Sequence, residues 1–162
     1  MKILIISKLS KFKEEKSKNR YNFLKFLDKR SKNIYIKDEN QCNEYKIKCI
    51  NPDIIIYYWL TKFNKLDKML IEGFENIKIN KLLLVEDIQH TESYIKFHND
   101  YNFDGIILHY INKNIRNKVS KYVNNIYELP QYIDNIVFRD YKLNKDIDIL
   151  IYGDYNSKYY SF

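Results

Sequence analysis

The chain has 162 residues, 45% apolar and 30% charged, with 28 Lys+Arg against 21 Asp+Glu for a formal charge of +7. The length suits one domain. The composition excludes a disordered chain, and three Gly with two Pro exclude collagen-like or linker-like sequence. The longest apolar run, Ile54–Leu60, has seven residues, well short of the ~18–20 that cross a bilayer. Met1-Lys2 is followed by a short β-type run and then by charge, with no small-residue cleavage site, so the expected location is the cytoplasm.

In chain order, Lys2–Ser7 (KILIIS) is a continuous, β-branched strand ended by polar residues. Lys8–Lys18 is a polar connection. Asn19–Arg30 places Tyr21, Phe23, Leu24, Phe26 and Leu27 on one broad face of a helix. Asn33–Lys37 alternates like a strand, and Asn40–Cys49 is ambiguous. Asp53–Trp59 (DIIIYYW) follows the Asn51-Pro52 turn signal and is the strongest strand. Lys65–Phe74 reads as a helix, with Leu66, Met69 and Leu70 on one face and Gly73 near its end. Lys81–Val85 is a strand, Thr91–Tyr101 a helix capped by Thr91 or Ser93, Asp104–His109 a strand, Asn112–Val123 a helix, and Asn125–Leu129 a sixth short strand.

Strands that are apolar throughout are buried on both faces, and the intervening helices supply the cover. The expected fold is therefore a three-layer, Rossmann-like α/β domain with a mostly parallel six-stranded sheet over residues 1–130. Residues 131–145 read as a connection. Asp146–Gly153 (DIDILIYG) reads as a seventh, orphan strand, and 146–162 as the first strand and loop of an incomplete second domain.

Cys42 and Cys49 are too few for a disulfide framework or a metal cage and are expected as reduced thiols. Alanine is absent, and Arg is only 4 of the 28 basic residues, while Lys, Ile, Asn and Tyr abound. Those residues have AT-rich codons. The base composition of an AT-rich genome, such as that of a large DNA virus, a protist or a low-GC bacterium, explains the lysine excess without an anionic partner. In the viral case the cytoplasm is the host's.

Open α/β sheets bind ligands beyond the carboxyl ends of their strands. The residues to inspect there are Ser7 and Lys8, Trp59 and Thr61, Glu86, Asp87 and His90, and His109 and Tyr110. The cluster Glu86-Asp87-Ile88-Gln89-His90 sets two carboxylates and an imidazole at one strand end. A carboxylate beside a histidine orients it and raises its basicity, as a general base requires. The competing reading is that Asp87 caps the next helix and His90 is a solvated loop residue. No His-x-x-x-His or Cys-x-x-Cys spacing occurs, so no metal is expected.

Ser7-Lys8-Leu9-Ser10-Lys11 follows the first strand with neither G-x-G-x-x-G nor G-x-x-x-x-G-K-[ST]. That excludes a classical dinucleotide or P-loop site. The five lysines of Lys8–Lys18 are a potential anion attractor, but codon bias and a solvated loop account for them. The 16 Tyr and 9 Phe are scattered, without an RNP-like motif, so nucleic acid is not the expected partner.

The stretches Leu82–His90 (LLLVEDIQH), Asp104–Tyr110 (DGIILHY), Leu129–Phe138 (LPQYIDNIVF) and Lys145–Phe162 (KDIDILIYGDYNSKYYSF) resemble glycosyltransferases of the GT-B class. More narrowly, they resemble the CgeB-like spore-maturation proteins and their giant-virus relatives. The resemblance implies an acceptor-side N-terminal domain that faces a donor-binding domain across a cleft. It implies Asp87 and His90 as catalytic residues on the cleft rim, and Glu86, His109, Ser7, Lys8 and Trp59 around the substrate. Gly153 would open the loop near the donor phosphates. It implies a nucleotide-sugar as donor substrate and no other cofactor.

Because most of a donor domain is absent, the expected chain is a half-enzyme. It would be inactive alone, with a glycan or other acceptor, a separate donor-domain chain and a second copy of itself as partners. The alternative expectation is a non-catalytic Rossmann-like module that binds a glycan, a nucleotide or a protein.

Overall fold

The structure, a computed structural model, describes residues 1–8, 24, 31–59, 68–85, 90–108 and 113–129. The chain divides into a compact unit, Met1–Gln131, and a second unit, Tyr132–Phe162, which lies outside the described residues. The expected connection 131–145 and strand Asp146–Gly153 fall there.

Six strands form one sheet: β1 (Ile3–Ser7), β2 (Ile34–Asp38), β3 (Ile54–Trp59), β4 (Asn80–Val85), β5 (Gly105–Leu108) and β6 (Ile126–Glu128). Every neighbouring pair is parallel, in the order β2-β1-β3-β4-β5-β6. The described helices are α1 (Glu44–Ile50), α2 (Thr91–Asp100) and α3 (Lys113–Val119), with 3-10 turns at Glu39–Gln41 and Phe74–Asn76. This is the expected Rossmann-like α/β architecture.

The order reverses direction at β1. Right-handed crossovers then place the first connection on one face of the sheet and the later ones on the other. The core divides accordingly. Leu4, Ile6, Ile55, Tyr57, Leu83 and Ile106 pack with Ile47 of α1, Phe74, Phe97 of α2 and Val119 of α3. Ile5, Tyr58 and Leu84, on the opposite face, pack with Leu24, whose backbone is helical. Side chains alternate between faces along each strand, and the register Ile5↔Ile56, Tyr58↔Leu84 keeps each set together.

Local chemistry sets the helix ends. Within the ambiguous Asn40–Cys49 stretch, the Asn43 side chain accepts from Lys46 N–H at 2.9 Å and starts α1. Asn51, left-handed at φ 49°, ends it before Pro52. After α2, Asn102 is left-handed at φ 52°. Phe103 N–H donates to His98 C=O at 3.1 Å and Asn102 N–H to Asn99 C=O at 3.3 Å, the two bonds of a Schellman motif. The His98 and Phe103 rings stack at 6.2 Å to seal it.

Two expectations need correction. Within the described part of Lys65–Phe74, residues 68–73 are not helical, and Phe74 only opens the 3-10 turn. Met69 N–H donates to Tyr101 Oη at 3.0 Å, and Leu70 N–H to Glu39 Oε1 at 2.6 Å. Tertiary acceptors thus take the donors a helix would use. Met69 is buried while Leu70 is 63% exposed, so the two do not share a face. The start of α2 is also different: His90, not Thr91 or Ser93, holds the cap position, without a side-chain capping bond.

At the amino ends of the strands Lys81 and Asp104 are closely partnered. Lys81 Nζ donates to the carbonyls of Phe74 (3.1 Å), Glu75 (3.2 Å) and Tyr101 (3.3 Å) and sits 5.3 Å from the Phe74 ring centroid. Lys81 N–H donates to Asp104 Oδ2 at 2.7 Å, and Asp104 N–H to Lys81 C=O at 2.8 Å. At Gly105 a Cβ would stand 2.8 Å from Asn125 O, so glycine is what lets β5 and β6 come together there.

Candidate functional site at the carboxyl edge

The sheet order makes β1 and β3 the point where successive connections part to opposite faces. That is where a doubly wound fold opens a crevice beyond the strand ends. The residues at this edge are Ser7 and Lys8 after β1, Glu39 after β2, Trp59 closing β3, and His90 with Tyr94 at the start of α2.

Ser7 is fully buried, and its hydroxyl donates to Tyr58 C=O at 3.1 Å. It fastens β1 to β3. Lys8 Nζ donates to Lys68 C=O at 3.3 Å and lies 3.7 Å from Glu39 Oε2. Glu39 is 1% exposed, and its other oxygen accepts from Leu70 N–H. The Lys8 charge therefore has an internal counter-ion, and the pair pins residues 68–70 across this edge. Glu39 Oε2 itself has no hydrogen-bond partner, a costly state for a buried carboxylate oxygen.

Trp59, 3% exposed, stacks on Phe97 with ring centroids 5.7 Å apart and meets Tyr94 edge-on at 6.2 Å. Trp59 Nε1 and Tyr94 Oη are buried without a partner in hydrogen-bond geometry among the described residues. Burial pushes the Tyr94 hydroxyl pKa above its usual value, against a smaller opposing effect of a hydrogen bond with the Thr91 side chain. His90 is half-buried at the head of α2. His98, two helical residues beyond Lys96 and one turn past Tyr94, pairs through Nδ1 with Asn99 Oδ1 at 2.9 Å and leaves Nε2 buried and unpartnered.

Glu86, Asp87, His109 and Gly153 lie outside the described residues, as do Thr61 and Tyr110. Of the expected site residues, the edge brings together Ser7 and Lys8, with Trp59 and His90 on the neighbouring elements. Ser7 and Trp59 are built into the packing below the rim. Sequence reasoning missed Glu39 and Tyr94. Glu39 follows a strand as directly as Lys8 does, so the strand-end rule would have found it. Tyr94 was hidden among sixteen tyrosines.

Elsewhere, burial raises the Cys42 thiol to about 11, despite the opposing pull of Lys37 and Lys46. It is inert near neutrality. Among the described residues no group of three or more His, Cys, Asp or Glu is placed to hold a metal ion. No described helix is long and apolar enough to cross a membrane. An open groove of about 510 Å³ runs between α2 and α3. Its charges are largely paired, Lys96 with Asp100 at 2.9 Å and Lys118 with Glu92 at 3.2 Å, so it presents no single-sign field.

No protein-family model matches the sequence, and no curated protein matches it.

Proposed function

We propose that this domain is the acceptor side of a GT-B-type glycosyltransferase, receiving a hydroxyl-bearing acceptor at the carboxyl edge of its sheet. The observation that carries the reading is His90. It stands half-buried at the head of α2, the helix that follows β4 in the chain. Imidazole there takes the proton from the acceptor hydroxyl, with Asp87 as the carboxylate that orients it. The acceptor oxygen forms a bond to the sugar's anomeric carbon as the bond to the nucleoside diphosphate breaks. The leaving diphosphate belongs to a second, donor-binding domain.

The Lys8–Glu39 pair supports placing the donor elsewhere. The lysine at the head of the reversal already has a carboxylate at 3.7 Å and is not a spare cation for a diphosphate. The chain by itself is then expected to bind acceptor glycans and to leave UDP- and GDP-sugars intact. Turnover of either nucleotide-sugar by the purified 162-residue protein would overturn the proposal.

One observation favours a second reading, a non-catalytic binding module. Ser7, Lys8 and Trp59 are engaged in packing or internal pairing rather than presented for chemistry. The double substitution Asp87→Asn with His90→Ala separates the two. Unchanged ligand binding together with an unchanged biological effect supports the module; loss of the effect supports the acceptor-side domain.

A further inference from the structure

An open sheet ends in two edge strands, and each edge presents a row of unpaired backbone N–H and C=O groups. The described sheet ends at β2 on one side and at β6 on the other. β6 has three residues and β2 has five. The bond from Ile3 N–H to Asn33 C=O at 2.8 Å sets the phase of the β1–β2 ladder. Asn33, Tyr35 and Lys37 therefore turn their backbone groups toward β1, and Ile34, Ile36 and Asp38 turn theirs outward. Among the described residues the outward groups of Ile36 and the Ile34 carbonyl have no hydrogen-bond partner. Ile34 N–H makes only a turn bond, to Ser31 C=O at 3.4 Å. The apolar side chains of this edge are half-buried, Ile34 and Ile36 on the Leu24 face and Tyr35 on the opposite one.

We infer that the outer edge of β2 is an interaction surface for a second copy of this chain. The two β2 strands pair antiparallel about a two-fold axis that passes through the Tyr35 position. The contact is independent of the acceptor-side reading. A two-fold contact has to be complementary to itself, and β2 meets that condition in this register. Ile34 stands opposite Ile36 of the second copy, and Ile36 opposite its Ile34. These are the positions whose backbone groups point outward, so each pair exchanges N–H···O=C bonds, and Ile34 N–H trades its long turn bond for one of them. Lys32, which is exposed, falls opposite Asp38 of the second copy, and the same pair recurs across the axis. Asp38 keeps its Oδ1 bond from Asn40 N–H at 3.2 Å and brings a charge rather than a vacant atom. Opposite charges facing each other across a strand pair favour it, and like charges oppose it. Lys37 falls opposite Asn33, so no like charges of 32–38 meet. Moving the axis one residue either way sets an isoleucine against a charge, Ile34 against Asp38 or Ile36 against Lys32. With the axis perpendicular to the sheet, the isoleucines of both copies share the Leu24 face and extend its apolar surface.

One strand pair is a small interface, so the dimer belongs to the weak class. Sedimentation velocity of the whole chain should show it as a sedimentation coefficient that rises with concentration. Ile36→Pro removes an outward donor without touching the bonds to β1 and should abolish the rise. Lys32→Glu, an exposed change, sets two like-charge pairs across the axis and should weaken association roughly tenfold, while Lys32→Arg should leave it unchanged. If Ile36→Pro fails to fold, the Lys32 pair of variants carries the test. The register is read by cross-linking with oxidised glutathione in a Cys42→Ser, Cys49→Ser background. Tyr35→Cys occupies a non-hydrogen-bonded pair with Cα atoms ~4.5 Å apart, within disulfide reach, and should give a covalent dimer; Lys37→Cys should not. A chain that stays monomeric at every concentration overturns the inference. So does association that Lys32→Glu leaves unchanged, or cross-linking through position 37 in preference to 35.

Discussion

The two ends of the sheet are built on opposite terms. At the amino end, Lys81 uses its ammonium on three carbonyls, and Asp104 and the Lys81 backbone exchange two hydrogen bonds. Every one of those groups is matched. At the carboxyl end, Trp59 Nε1 and Tyr94 Oη are buried outside hydrogen-bond geometry and Glu39 Oε2 is held only by the Lys8 ammonium at 3.7 Å, while toward the amino end His98 Nε2, beside Phe103, is buried in the same way. Proteins hold such unsatisfied groups where function demands them and compensate elsewhere. The matched groups around Lys81 mark a stabilising cluster; the carboxyl edge is where ligand chemistry is proposed.

Substitutions at the two edges test that division. Lys81→Met should give the largest loss, about 3–4 kcal/mol in urea denaturation, because one buried and two part-buried carbonyls lose their donor together. A loss no larger than that of an average surface change would remove the distinction between the edges.

Gly105→Ala should cost about 1–3 kcal/mol, since the new methyl meets the Asn125 carbonyl at 2.8 Å and backbone must give way. Amide exchange should show the loss concentrated in β5 and β6. Asn43→Ala removes the α1 cap, which accepts from Lys46 N–H, and should cost about 1 kcal/mol. Tyr94→Phe, at the carboxyl edge, is the smallest: no loss, or a slight gain, in the ligand-free chain.

The pH dependence carries the same contrast. Burial lowers the Lys81 pKa from its usual 10.5, with Asp104 and Glu75 pulling the other way. Between the lowered folded value and 10.5 the unfolded chain binds the proton more tightly, so this group's contribution to stability rises with pH through that window and levels off above it. The stability difference between the native chain and Lys81→Met should therefore be flat at lower pH and grow as pH climbs toward 10.5. A difference that shrinks over that range contradicts the burial.

The strands were legible because Ile-rich, β-branched runs have few alternatives, and all six appear within a residue or two of where the pattern puts them. Leu24, expected on the buried face of a helix, has helical backbone and packs on the face that the reversal at β1 requires. Residues 68–73 were not legible. Their apolar spacing suits a helix, but the acceptors that capture their N–H groups, Glu39 and Tyr101, are distant in sequence. At the site, strand-end position was readable for Ser7 and Trp59, yet their roles depend on contacts made across the fold. Ser7 is spent on the Tyr58 carbonyl, and Trp59 lies under α2. The orphaned polar atoms have no sequence signature at all.

The most direct measurement is amide shift mapping of the isotope-labelled chain during titration with neutral glycans. A ligand-binding carboxyl edge gives shifts centred on Lys8, Glu39, Trp59 and His90. Shifts centred instead on Lys81 and Asp104, or on the groove between α2 and α3, would contradict it.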